Sequence, residues 1–419
     1  MKKALLVGIE LPNDEYTIEY SLEELENLAE SLNIEVINKI IQKKSLINPK
    51  YYLGSGKVLE IKNEITALNI DLVIFNDELS PTQLRNLEKE LDVEVFDRSY
   101  LILEIFAKRA NTNEAILEIR LAKLKYMLPR LVGMNKSLSR QGGSSSLASK
   151  GSGEKQIELD RRKIAAEIVQ IEEKLKAVRQ GRVLQRTKRE KTEIPIVSLV
   201  GYTNAGKSTT FNTILKYSQN KNDKTVMEKD MLFATLGTSV RNVRLPNNQR
   251  ILLIDTVGFV SKLPTLLVNS FRSTLEEIIN SSLIIHVVDI SSPYYANQIN
   301  VTKNVLKEIG VSKTKEIYLL NKADKVGAPN IFIYGDSFPF SNKTNLNHDK
   351  LIKFIEDSVI DYSNTLVDLK VPFTDGKAIS IIDGYGIIKV KLISSETIYY
   401  KAYIPNNLLH ELKKYIVYK

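Results

Sequence analysis

The residues best equipped for chemistry form one run, Gly201-Tyr202-Thr203-Asn204-Ala205-Gly206-Lys207-Ser208. It follows the apolar stretch IVSLV and precedes the helix-compatible FNTILKY, so a glycine-rich turn joins a strand to a helix. Gly201, Gly206, Lys207 and Ser208 match the G-x-x-x-x-G-K-S spacing of a phosphate loop in the context that confirms it. Glycines let backbone N–H groups wrap a phosphate chain, and the helix N-terminus adds its positive end. Lys207 is then placed to bridge β and γ phosphates, and the Ser208 hydroxyl to ligate Mg2+. Lys207 and, farther on, Gly258 are the expected catalytic groups.

Three downstream pieces complete a guanine nucleotide site. Asp255-Thr256-Val257-Gly258 ends the apolar run ILLI, so Asp255 reaches the metal through a water and the Gly258 N–H reaches a γ phosphate. Asn321-Lys322-Ala323-Asp324 ends a second apolar strand, and the Asp324 carboxylate can accept from the N1–H and amine of guanine, which adenine lacks. Ser341-Asn342-Lys343 follows the next strand as a loop over the base. Between the phosphate loop and DTVG, the polar run SQNKNDKTVMEKDMLFATLG resembles a switch ordered by γ phosphate and Mg2+. Thr235 is the first choice for its metal-binding hydroxyl, with Thr225 and Thr238 as rivals. After Gly258 comes Phe259, which can neither orient nor deprotonate a water. Slow hydrolysis by the isolated protein is therefore expected.

These residues must be held by several folded units. The chain has 419 residues, 43% hydrophobic and 26% charged, which suits two to four packed domains of ordinary globular composition. The expected class is α/β multidomain: an N-terminal α/β domain over 1–107, a basic helical hairpin over 108–191, a mostly parallel P-loop GTPase domain over 195–360 and a small α+β domain over 361–419. In the first, the runs Ala4 to Ile9, Leu72 to Phe75 and Val93 to Phe96 read as strands, and Ser80-Pro81 as a helix start. Gly54-Ser55-Gly56-Lys57 has the wrong spacing for a phosphate loop and reads as a turn and cap. In the second, Leu117, Leu121, Leu124 and Leu128 face a seam of Ile157, Ile164, Ile168, Ile171, Leu175 and Val178, an antiparallel pair by expectation. A Gly- and Ser-rich loop from Pro129 to Lys155 joins them.

No cysteine is present, which excludes disulfides and thiolate chemistry. The three histidines, His286, His348 and His410, show no metal-ligand spacing and read as structural or surface residues. No run reaches the roughly 18 apolar residues of a membrane span, so a cytoplasmic protein, partly ribosome-bound, is expected; a monomer is the expected state. The net charge of +9 is concentrated: residues 108–191 carry 21 Lys and Arg against 9 Asp and Glu, and the remainder 38 against 41. That local excess is the footprint of a surface that meets phosphate backbones.

In this order, PKYYLGSGKVLEIK, DELSPTQLRNLEKEL, LAKLKYMLPRLVGM, SLSRQGG, GYTNAGKST, LFATL, DTVGF and NKAD resemble HflX-type GTPases of the translation-factor-related P-loop class. The resemblance covers essentially the whole chain. It implies a Mg2+-dependent GTPase that binds GTP and GDP, associates with the large ribosomal subunit and its rRNA through the hairpin, and splits stalled or idle ribosomes. A role in ribosome assembly or dormancy, or ATP use as an RNA remodeller, is the alternative. Carried over by position, Gly201 to Ser208, Phe233-Ala234-Thr235-Leu236-Gly237, Asp255 to Gly258, Asn321 to Asp324 and Ser341 to Lys343 contact the nucleotide, Ser208 and Thr235 ligate Mg2+, and Asn204 is of the type that ligates K+ in related GTPases. The chain departs from the family pattern at Gly237, where Asp is common, at Asn342, where Ala is commoner, and in SSSLASKGSGEK at the loop tip.

Overall fold

The computed structural model describes residues 1–131, 150–190, 194–218, 239–262, 278–311, 314–327 and 336–417. Their contacts divide them into two compact units, the first built on Met1–Gly181. It opens with a four-stranded parallel sheet of β1 (Lys2–Glu10), β2 (Ile34–Lys43), β3 (Leu72–Phe75) and β4 (Glu94–Asp97), in the order β2-β1-β3-β4. The central strands β1 and β3 are apolar runs buried on both faces, as parallel strands covered by helices must be. The helices are α1 (Ile18–Ser31), α2 (Ser55–Leu68), α3 (Pro81–Leu91) and α4 (Arg98–Arg109). Ser80 and Gln83 close a reciprocal capping box at the start of α3, with Pro81 in its first turn. Gly54 is the N-cap of α2, which gives the GSGK tetrapeptide its role as a helix start.

Two further helices follow, α5 (Asn113–Met127) and α6 (Lys150–Glu190). Leu121, Ile171 and Leu175 are buried between them, with Leu117, Leu124 and Ile168 around the edge. The seam is shorter than expected, because Val178 is 38% exposed. Its direction also differs. The ion pairs Arg120–Glu167 and Lys125–Glu172 advance together along both helices, which is a parallel register and not the antiparallel one the leucine spacing suggested.

The second unit contains a six-stranded sheet in the order β10-β9-β8-β5-β7-β6. Its strands are β5 (Ile196–Val200), β6 (Ser239–Arg244), β7 (Arg250–Asp255), β8 (Leu283–Asp289), β9 (Lys315–Asn321) and β10 (Asp336–Pro339). All pairings are parallel except that of the edge strand β6 with β7. Helices α7 (Lys207–Lys216), α8 (Tyr295–Ile309) and α9 (His348–Ser363) accompany them. Val197, Leu199, Leu253, Ile285 and Leu319 are fully buried and anchor the core. The chain ends in an antiparallel sheet β11-β13-β12, of β11 (Asn364–Pro372), β12 (Ile387–Ile393) and β13 (Thr397–Pro405), packed on α10 (Gly376–Tyr385). Parallel α/β sheets bind ligands beyond the carboxyl ends of their strands. In the six-stranded sheet those ends deliver Gly201, Asp255, Asp289 and Asn321 to one edge.

Candidate nucleotide site

The loop after β5 takes its shape from residues that tolerate it. Gly201 has φ +146°, and a Cβ there would lie 2.2 Å from the Val287 carbonyl oxygen. Gly206 has φ +97°, and its Cβ would lie 2.1 Å from Asn321 Nδ2. No other residue type fits either position. Asn204, exposed at the tip, adopts the left-handed conformation at φ +60° that asparagine tolerates.

Lys207 opens α7 and is 6% exposed. Its ammonium donates to the carbonyls of Gly201 at 3.1 Å and Tyr202 at 2.6 Å, which fold it back over the loop. Burial pushes its pKa down to about 8, while the Asp255 carboxylate favours the charged form. The next residue, Ser208, donates its hydroxyl to Asp255 Oδ2 at 2.9 Å. Asp255 is fully buried at the end of β7. A hydroxyl and a carboxylate, both hard oxygen donors, therefore meet at the mouth of the phosphate loop, the donor set that suits Mg2+. The Thr203 hydroxyl, also buried, has no partner among the described residues and is free to donate to a phosphate oxygen.

DTVGF lies directly on this loop. Thr256 is tied to the Leu199 carbonyl at 2.7 Å and Val257 is buried. Gly258 is packed so closely that a Cβ would come within 2.9 Å of Lys207 Nζ and of Thr203 Cα. Phe259 is 2% exposed, and its backbone is bonded to the loop in both directions: its N–H donates to the Gly201 carbonyl at 3.1 Å, and its carbonyl accepts from Thr203 N–H at 2.7 Å. The aromatic residue works as a staple between the two motifs and points its side chain into the core.

On the base side, Asn321 Nδ2 donates to the Ala205 carbonyl at 2.7 Å and so ties NKAD to the phosphate loop. Lys322, at φ +61°, pairs with Asp289 at 2.7 Å. Ala323 is buried and its N–H donates to the Phe340 carbonyl. The Asp324 carboxylate is exposed and accepts from the Ser341 hydroxyl at 2.6 Å, which holds its pKa below the usual carboxylate range. Ser341 is itself buried, and its oxygen accepts from Thr344 N–H. Asn342 makes two bonds to α7, donating to the Thr210 hydroxyl at 3.0 Å and accepting from that of Thr213 at 2.9 Å. Lys343 is exposed beside the site. His286 is buried and kept neutral, its pKa pushed down to about 3, whereas His348 meets the Ser341 carbonyl at 3.1 Å.

The structure thus gathers Gly201 to Ser208, Asp255 to Gly258, Asn321 to Asp324 and Ser341 to Asn342 at one sheet edge. Phe233 to Gly237, with Thr235, and its rivals Thr225 and Thr238 lie outside the described residues. Sequence reading passed over Asp289, which holds Lys322, and Thr210 and Thr213, which hold Asn342. Asp289 carried a signal, an acidic residue closing the apolar strand LIIHVVD.

Comparison with known proteins settles the assignment. Over 99% of its length the chain is 39% identical to GTPase HflX of Caldanaerobacter subterraneus subsp. tengcongensis, spanning 94% of that protein. It belongs to the HflX GTPase family. It is also similar to HflX of Lacrimispora saccharolytica, 38% identical over 98% of this chain and 95% of that one, and of Escherichia coli K12, 39% identical over 77% and 73%. Family profiles described as "GTP-binding GTPase N-terminal", "GTP-binding GTPase Middle Region" and "50S ribosome-binding GTPase" match residues 19–107, 109–189 and 196–322. A solved GTP-binding protein from Sulfolobus solfataricus in complex with GDP is 25% identical over 87% of this chain and all of that one, with a TM-score of 0.45. As a member of the HflX family the chain is a GTP-hydrolysing enzyme with a P-loop GTPase fold. Among the described residues no helix is long and apolar enough to cross a membrane.

Proposed function

We propose that this HflX-family GTPase requires Mg2+, works in the cytoplasm on the large ribosomal subunit, and uses GTP to split or recycle stalled or idle ribosomes. The observation that carries the reading is Phe259. Its backbone is bonded to the phosphate loop and its side chain is buried, so the position that in other GTPases orients the attacking water holds no polar group. Hydrolysis then waits for a group or an ordering event supplied by a partner. The matched profile described as "50S ribosome-binding GTPase" and the basic segment 108–191 favour the large subunit as that partner.

In this reading Lys207 neutralises the β and γ phosphates, and loop N–H groups and the Thr203 hydroxyl cradle them. Ser208 and Asp255 would hold Mg2+, the former directly and the latter through water, with Thr235 as a further ligand. When bound, the ion would neutralise negative charge on the phosphates. Asn321 fixes the loop from the base side, and Asp324 reads the guanine N1–H and amine, a pair of donors that adenine does not present. Lys322 and Ser341 to Lys343 border the base. Asn204, exposed and left-handed, is where K+ would bind.

Sedimentation tests the splitting reading. Incubating intact ribosomes with the protein and GTP should raise the fraction of free subunits, and GDP should not. Association with no rise in free subunits would favour a GTP-gated assembly or dormancy factor instead.

A further inference from the structure

The three-stranded sheet β11-β13-β12 has two unlike faces. On its central strand β13, Ile398, Tyr400, Ala402 and Ile404 are buried in a core shared with Ala378 and Ile382 of α10. The alternate residues Tyr399, Lys401 and Tyr403 point the other way and stay partly exposed. Strand pairing sets Lys370 and Leu392 on either side of Tyr399, and Leu366 beside Tyr403. Lys370 is exposed, and Leu392 and Leu366 are 60% and 43% exposed, so the face is open to solvent. A register shift between Ile388 and Val390 takes Lys389 out of the pairing, and its ammonium lies 5.7 Å from the centre of the Tyr403 ring.

Both rings are held in place. The Tyr399 hydroxyl donates to Asp368, and that of Tyr403 is hydrogen-bonded to Asp361 at the end of α9. A ring fixed in this way loses little freedom when a flat partner stacks on it. Four residues apart on one strand, the rings stand about 13 Å from each other, too far to stack together and far enough to take one flat group each. Lys401 lies between them, with Lys370 beside the first and Lys389 over the second. The carboxylate of Asp368 stands opposite Lys401 and is engaged by Tyr399, so the face keeps a net positive charge. Residues 364–419 as a whole carry eight Lys against five Asp and Glu. Two copies of this face set against each other would bring like charges together, whereas a polyanion with flat, separable bases matches both its rings and its charge.

We propose that the open face of this sheet binds single-stranded RNA, with bases stacked on Tyr399 and Tyr403 and phosphates passing Lys401, Lys370 and Lys389. Sheet platforms hold single strands in this manner because every base has a face to stack and cations track the backbone between bases. A duplex cannot use the rings, since its bases are already stacked on one another. The choice of RNA rests on the proposed ribosomal partner, which ribosome sedimentation reports separately; the stacking and the charge do not.

Full-length protein is titrated with a short fluorescent oligouridylate. Because residues 108–191 are also basic, the contact is located by photo-cross-linking the same oligonucleotide carrying thiouridine and mapping the labelled peptides. Tyr399 or Tyr403 should be labelled. Tyr399→Leu/Tyr403→Leu should lose that label and weaken binding at least tenfold, whereas Tyr399→Phe/Tyr403→Phe, which keeps both rings, should stay within about threefold of wild type. Lys370→Gln/Lys401→Gln should flatten the slope of log affinity against log salt by about 1.4, the share of two phosphate contacts on a single strand. Melting temperatures report whether each variant keeps the sheet, and the lysine pair, neither of them buried, carries the test if the leucine pair unfolds. Wild-type affinity in the leucine variant, labels confined to residues 108–191, or an unchanged salt slope in the lysine variant overturns the proposal. Displacement of the RNA label from Tyr399 and Tyr403 by an equal concentration of a glutamate-rich peptide would also overturn it and assign the face to an acidic protein segment.

Discussion

Lys207 is the residue through which pH should act on nucleotide binding. Burial brings the ammonium of the free protein to about 8, and a bound phosphate chain holds it charged. Above pH 8 binding must therefore take up a proton, and affinity falls as pH rises, by at most tenfold per unit. Calorimetric titrations with GDP between pH 7 and 9, in buffers of different ionisation enthalpy, should show proton uptake growing from near zero toward one. A flat affinity would mean that Lys207 stays charged in the empty loop. Asp324→Asn makes a second residue-scale test: guanine affinity should fall on the order of tenfold, with a gain for xanthine, whose carbonyl replaces the amine. Unchanged guanine affinity would remove Asp324 as the reader. Residues of this kind were legible in the sequence because their roles are fixed by local backbone geometry. Gly201 and Gly206 admit no side chain, and Lys207 and Ser208 follow at fixed offsets. Asp289, Thr210 and Thr213 act through partners 33 to 132 positions away, and no spacing rule announces a contact at that separation.

Among the elements, strands buried on both faces were readable, and so was the edge strand β4, read as Val93 to Phe96. The apolar runs of β1, β3, β5 and β7 stand where the sequence put them. β2 was overlooked because its burial alternates irregularly, it pairs with β1 alone, and it shifts register between Ala4 and Leu5. The α5/α6 pair shows a different limit. Leucine spacing identifies the buried stripe but not the direction in which a second helix crosses it, and the direction emerged only from the charged neighbours of that stripe. Those neighbours also bear on the pair's role. Arg120 and Lys125 are matched to Glu167 and Glu172, acids that the count for residues 108–191 already includes, whereas Lys123 is matched to Glu104 and Arg130 to Glu78 outside the segment, which lowers its effective excess only slightly. Enough remains for a clear salt dependence. If the segment contacts rRNA, as few as two phosphate contacts lower affinity about tenfold between 50 and 200 mM salt. Filter binding of the protein to large-subunit RNA over that range should show at least this decline; a flat response would reject the contact.

At the scale of the whole molecule, the question is where the missing group for hydrolysis comes from. Phe259 cannot be the source, and its burial means that a simple exchange for glutamine would place an amide in the core, not beside the phosphate. Turnover by the protein alone should therefore be slow, and addition of large subunits should raise it at least tenfold. The same assays in K+ and in Na+ separate two sources of help. A dependence on K+ that persists without subunits would place the charge at Asn204, whereas stimulation by subunits in either salt would place the deciding step in the partner. Rapid turnover by the protein alone in Na+ would contradict both, and would require a water-orienting group within this chain that the stapled Phe259 does not supply.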